Sequence, residues 1–103
     1  MTEQNVMLHR ESYGDFEGSA VERFVLTNPT GLKVAILSFG AVIQEVWIPG
    51  RDDELANVVL GFAGLDGYLA KNPHFGSVLG RLANRLRGAS FELDGTTYNV
   101  TAN

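Results

Sequence analysis

An all-β fold of antiparallel strands is predicted by three features of the sequence. Apolar and polar residues alternate through most of the stretch from 20 to 49, the period of a strand with two unlike faces. Turn chemistry interrupts these runs at short intervals, at Asn28-Pro29-Thr30-Gly31, Pro49-Gly50 and Asp94-Gly95. Helical periodicity is nearly absent, and the 12 glycines stand singly between apolar runs.

The elements follow in order. In AVERFVLTN (20–28), Phe24 and Leu26 fall on one side, and Val25 and Thr27 on the other. LKVAILSFG (32–40) sets Leu32, Val34 and Ile36 against Lys33, Ala35, Leu37 and Phe39. AVIQEVWIP (41–49) alternates again, and the three runs read as a meander. Lys33, Gln44 and Glu45 are the polar positions expected where a sheet meets water. GRDDELAN (50–57) is predicted as a charged loop and VVLGF (58–62) as a short buried strand. LDGYLAKN (65–72) has room for one helical turn, weakened by Gly67. SFELDGTTYNV (90–100) is the clearest hairpin, with Phe91 and Leu93 facing Tyr98 and Val100 across Asp94-Gly95.

Bulk properties narrow the function. With 103 residues, 45% hydrophobic and 19% charged, the chain suits one modest globular domain. A net charge of −4 argues against nucleic acid or an anionic membrane as the main partner, since both need a positive field. The lack of cysteine rules out disulfide and thiol chemistry and fits a reducing compartment. MTEQNVMLHRE offers no apolar core for a signal peptide, so a cytoplasmic location is expected. Residues 1–12 read as a polar N-terminal extension, with His9 exposed within it.

The candidate chemistry is concentrated in GRLANRLRG (80–88), where Arg81, Asn84, Arg85 and Arg87 stand together. Asn84 and Arg85 lie among apolar Leu82, Ala83 and Leu86. A guanidinium held in that setting beside an amide presents several fixed donors to ligand hydroxyls, the alternative being a solvated polar surface. Arg81 and Arg87 are read as structural or surface residues. Gly76 and Gly80 match neither a phosphate loop nor a dinucleotide fingerprint and are read as turn glycines. His74 is read as a hydrogen-bonded loop residue. The carboxylates of RDDE (51–54) lack a partner to make a metal site, and no metal is expected. Trp47 is expected in the core or on the sheet surface, and no nucleophile–base pair stands out.

Over residues 13–103 the chain resembles the N-terminal part of the aldose 1-epimerases, or galactose mutarotases. The resemblance is carried most specifically by FGSVLGRLANR (75–85) followed by the F-x-L-D-G-x-x-Y hairpin at 91–98. It implies a large antiparallel β-sandwich, of which residues 13–103 would be a truncated N-terminal segment. It also implies an isomerase that interconverts the α and β anomers of free hexoses without a cofactor. In such enzymes a glutamate takes the anomeric proton and a histidine protonates the ring oxygen. The Asn-Arg of the motif contacts sugar hydroxyls, a role that falls on Asn84 and Arg85.

The family's LHGG-type segment and its catalytic histidine and glutamate would fall beyond residue 103, so no catalytic residue is assigned and the chain alone is expected to be inactive. His74 stands where relatives often have an aromatic residue, Leu86 where isoleucine is commoner, and Asn57 and Glu17 where aspartate is usual. The alternatives to a mutarotase piece are a non-catalytic carbohydrate-binding module and a β-module that self-associates. The expected partner is a free hexose, with homodimerisation through exposed strand edges also in view. A phosphorylated-hexose epimerase of similar fold ranks below the free-sugar enzymes.

Overall fold

The computed structural model describes residues 5–70 and 73–102. Its centre is a five-stranded antiparallel meander formed by β1 (Met7–Phe16), β2 (Ser19–Thr27), β3 (Lys33–Leu37), β4 (Ile43–Pro49) and β5 (Leu55–Asn57). One helical turn, α1 (Leu65–Leu69), follows, and a separate hairpin pairs β6 (Ser90–Leu93) with β7 (Thr96–Asn99). None of the helices among the described residues is long and apolar enough to cross a membrane.

The predicted meander and hairpin are present, with three differences. Met7–Ser12, inside the expected N-terminal extension, pairs with β2 from Met7↔Thr27 to Ser12↔Glu22, while residues 1–4 lie outside the described residues. An edge strand need not alternate, because neither of its faces must be fully buried, and the polar pattern of residues 7–12 concealed it. Leu55–Asn57, expected as loop, pairs with β4 instead. The predicted strand at 58–62 is irregular and largely exposed, with Val58 56% and Leu60 69% accessible. Its apolar run belongs to a segment lying beside the sheet and not within it. The predicted helical turn forms as α1, and the Lys71-Asn72 end of that expectation lies outside the described residues.

The register sorts the sheet into two unlike faces. Val21, Val25, Ala35 and Leu37 are buried on the first, which is packed beneath the 62–69 segment. Leu37, Val42 and Tyr68 form a small core there, joined by Tyr13, Phe39 and Phe62. The second face carries the cross-strand row Leu8, Leu26, Val34 and Val46, with Phe24 paired to Ile36 beside it. These strand-central residues are half-buried, and Leu8 is 62% exposed. The sheet is therefore one filled layer with a second apolar surface left open.

A charged network crosses the filled face. Arg23 on β2 donates through both terminal nitrogens, to Glu11 on β1 and to Glu45 on β4, and its Nε donates to Gln44 Oε1 at 2.5 Å. Two register shifts make this possible. Tyr13 is the extra residue between Ser12 and Gly14, and Gln44 the extra residue between Ile43 and Glu45. The bulges turn both side chains inward, where Gln44 Nε2 donates to Tyr13 Oη and to the Phe62 carbonyl, each at 3.0 Å. The Tyr13 hydroxyl donates to the same carbonyl at 2.9 Å. No buried side-chain polar atom among the described residues lacks a partner.

Burial, reinforced by nearby Tyr68, pushes the Tyr13 hydroxyl up to about 12. The Arg23 hydrogen bond holds the Glu11 carboxyl below its ordinary 4.5; desolvation opposes this, and the charges of Arg23 and His9 add to it. Burial would lower the Arg23 guanidinium, but its hydrogen bonds to Glu11 and Glu45 prevail and raise it.

The folded chain holds a proton on Glu11 more weakly than the unfolded chain. The stabilisation is therefore present above the ordinary value of 4.5 and is lost as pH falls through the lowered folded value. Urea melts across this window should show stability falling with acid. Arg23→Met should flatten that dependence while costing about 1–3 kcal/mol at neutral pH, from the polar partners it strands. An unchanged acid profile in Arg23→Met would mean that Glu11 titrates independently of Arg23.

Candidate functional site

The segment between the sheet and the hairpin curls back on itself before β6 begins. Asn84, Gly88 and Ala89 all take positive φ, at 68°, 69° and 51°. Asparagine and glycine enter that region at small cost, and a Cβ at Gly88 would meet only the Ser90 Oγ, at 4.0 Å. A short 3₁₀ turn at Arg87–Ala89 closes with the Ala89 amide donating to the Leu86 carbonyl at 3.1 Å. The Val100 amide then donates to the Ala89 carbonyl at 2.9 Å, which ties the curl to the end of β7.

The hairpin is a firm anchor for this curl. Asp94 and Gly95 carry φ of 50° and 78°, both left-handed, as a tight two-residue hairpin turn requires. Phe91 and Tyr98 pair directly and stack with centroids 5.2 Å apart.

Curl and hairpin end enclose an open cleft of about 750 Å³ lined by Asn84, Arg85, Arg87, Val100 and Thr101, with the Leu86–Ala89 backbone between them. That volume lies within the range of small-molecule sites. Amide, guanidinium and hydroxyl groups on an apolar wall can donate to and accept from a polyhydroxylated ligand. Neither histidine nor carboxylate is among the described lining residues, so the cleft can bind and orient but has no acid–base pair of its own.

The structure brings Asn84 and Arg85 together in this cleft and leaves Arg81 outside its lining. It adds Arg87, which sequence reasoning treated as structural or surface. The signal was available: Arg85 and Arg87 flank Leu86, whose extended backbone (φ −122°, ψ 110°) gives a period of two. Thr101 was also missed, because nothing in TAN distinguishes a lining residue from a tail.

The remaining candidates lie elsewhere. His74 is exposed, with φ of 65°, and its carbonyl accepts from the Ser77 amide at 3.2 Å. His9 lies on β1, 3.5 Å from Glu11. Residues 51–54 form an exposed turn closed by the Asp53 amide on the Gly50 carbonyl at 3.1 Å, and no metal-ligand cluster occurs among the described residues. Trp47 lies on the filled face, where its indole donates to Glu45 at 2.5 Å and Lys33 Nζ lies 5.0 Å from the ring centroid. Gly76 packs so closely that an added Cβ would lie 2.0 Å from the Ile43 carbonyl oxygen, a structural reason for glycine there.

Asn84→Gly should leave the melting temperature essentially unchanged. Asn84→Val should cost about 1–2 kcal/mol, the usual penalty for forcing a branched side chain into the left-handed region. Thermal melts of the two variants would test this, and equal stabilities would show that the curl does not depend on the conformation at residue 84.

Comparison with known proteins gives a consistent pattern. The family model for aldose 1-epimerase matches residues 22–103. Human galactose mutarotase is 43% identical over 86 residues, covering 84% of this chain and 25% of its own. The rat galactose mutarotase is 41% identical over 100 residues, covering 95% and 29%. Maltose epimerase from Levilactobacillus brevis is 37% identical over 95 residues, covering 91% and 27%. In three dimensions, the crystal structure of galactose 1-epimerase from Lactobacillus acidophilus NCFM superimposes with a TM-score of 0.70 at 21% identity, covering 96% of this chain and 28% of that one. That likeness shows the fold: the antiparallel strands match part of a galactose epimerase β-sandwich. The chain spans between a quarter and three tenths of the length of these relatives.

Proposed function

Because the chain belongs to the aldose 1-epimerase family, we propose that it serves an isomerase interconverting the α and β anomers of free hexoses, with Asn84 and Arg85 as hydroxyl contacts. The observation that carries this reading is the placement of Asn84 and Arg85 together on the wall of one open cleft within the size range of small-molecule sites. Both bear donors, and the left-handed turn at Asn84 fixes where the amide begins. A hexose presents alternating hydroxyls, and a planar guanidinium beside an amide can meet two of them with little loss of freedom. Residues 13–103 would act as one segment of the sandwich, in a cytoplasmic setting consistent with the absence of cysteine.

Ring opening needs a base at the anomeric hydroxyl and an acid at the ring oxygen. No described residue lining the cleft is suited to either role. In this reading the described cleft residues bind and orient the sugar, and the proton transfers are assigned to other parts of the sandwich. Ligand-observed NMR with D-galactose should detect binding, and Arg85→Ala should weaken it at least tenfold, or about 1.4 kcal/mol. Polarimetry of fresh α-D-galactose should show decay at the buffer rate. Undiminished binding by Arg85→Ala would remove Arg85 from the site, while accelerated decay would place an acid and a base within these residues.

Self-association is the expected behaviour of the isolated segment. Among the described residues the Leu8–Leu26–Val34–Val46 row stays half-buried to exposed, and β1 is a ten-residue edge strand. Light scattering should show mass rising with concentration, and the Val34→Lys variant should shift the distribution towards monomer. A monomer at all concentrations would rule out association through this face or edge.

A further inference from the structure

We propose that Arg87 and Thr101 form a second hydroxyl-reading pair in the cleft, and that this pair decides which neutral aldoses it accepts. The inference rests on the free-sugar reading above and extends it beyond the Asn84–Arg85 contact.

Backbone geometry is the first support. The Val100 amide donates to the Ala89 carbonyl at 2.9 Å, joining the curl to the end of β7. Arg87 lies two residues before Ala89 in this link, and Thr101 is the residue after Val100. Both line the cleft, one from the curl and one from the hairpin end. The backbone at Arg87 is also spanned by the turn bond from the Ala89 amide to the Leu86 carbonyl, at 3.1 Å. Two residues placed through one shared hydrogen bond need little reordering to meet a ligand together.

Complementary chemistry is the second support. A sugar hydroxyl offers one proton and two lone pairs, whereas a guanidinium only donates. An arginine alone therefore leaves the hydroxyl proton without an acceptor. Beside Arg85 the Asn84 amide carbonyl can supply one, and for Arg87 the Thr101 hydroxyl oxygen can do the same. Among the described residues no ion pair or side-chain hydrogen bond engages Arg87 or Thr101, so neither is committed to holding the fold. The cleft thus carries two couples of donor and acceptor, enough to recognise a second hydroxyl as well as the first. A site that pairs both functions of a hydroxyl rejects a sugar lacking it, because its own polar groups are then left unpaired.

The test is a set of titrations followed by NMR on the purified chain with D-galactose and its 2-, 3-, 4- and 6-deoxy derivatives. At least one derivative should bind roughly tenfold more weakly than galactose to the native chain, yet as tightly as galactose to Arg87→Met. Thr101→Val should erase the penalty for that same derivative, and it serves if Arg87→Met does not fold. Penalties that belong to Asn84 and Arg85 should persist in both variants. Galactose bound by both variants as tightly as by the native chain would overturn the proposal while leaving the Asn84–Arg85 site intact. Erasure of penalties for different hydroxyls in the two variants would also overturn it, since the residues would then not act as a pair. Failure of the native chain to bind galactose would remove the sugar site itself, and the proposal with it.

Discussion

The filled face of the sheet depends on one guanidinium. Arg23 lies mid-strand on β2, with its side chain 17% exposed between buried Val21 and Val25, where an unpaired charge would be costly to desolvate. Its neighbours remove that cost. Glu11 comes from the neighbouring β1 and Glu45 from β4, across β3, and Gln44 receives the Nε–H. The result links β1, β2 and β4 across the face and fixes their relative register more sharply than apolar contact alone would. It also explains both bulges. Without the extra residue at Tyr13 and at Gln44, neither side chain would reach the Phe62 carbonyl, and the 62–69 segment would lose its polar anchor to the sheet.

This anchoring has a structural consequence for the opposite face. Since the 62–69 segment covers only the side of Arg23, the row through Leu8, Leu26, Val34 and Val46 has no comparable cover among the described residues. A sheet with two apolar faces and one covering layer is half of a sandwich in physical terms, and the similarity to a galactose epimerase β-sandwich agrees with that. The cleft is built on different principles. It stands on backbone geometry, with left-handed residues at Asn84, Gly88 and Ala89 and a hairpin stiffened by Phe91 and Tyr98, and not on a packed core.

What the sequence disclosed follows from which forces leave a local trace. Alternation from 20 to 49 and the Asp94-Gly95 turn were legible because each is set by neighbours two to four residues apart. Asn84 and Arg85 stood out through a motif whose members are adjacent. The edge strand at Met7–Ser12 did not, because its pairing is determined by β2 rather than by its own polarity. VVLGF misled for the converse reason: an apolar run says that residues avoid water, and Val59 and Phe62 do so by lying against other segments without joining a ladder. The Arg23 network was invisible for a third reason. The partners of Arg23 are 12 to 22 residues away in sequence, and the two bulges that align them break the period on which a strand reading relies.

The arginines show how far local composition can assign a role. Arg23 and Arg85 both stand beside apolar neighbours, Phe24 and Val25 in one case and Leu86 in the other, so their settings look alike in sequence. What separates them is the supply of carboxylates in three dimensions. The sheet brings two to Arg23 and thereby makes it a structural tie whose charge is already matched. The hairpin brings none to Arg85 or Arg87 among the described residues, and both residues line the cleft without a recorded ion pair. A paired guanidinium rigidifies a fold, whereas an unpaired one in a concavity retains its capacity to bind. Role is therefore decided by where the fold places acidic side chains, and the 25 residues from 67 to 91 contain none.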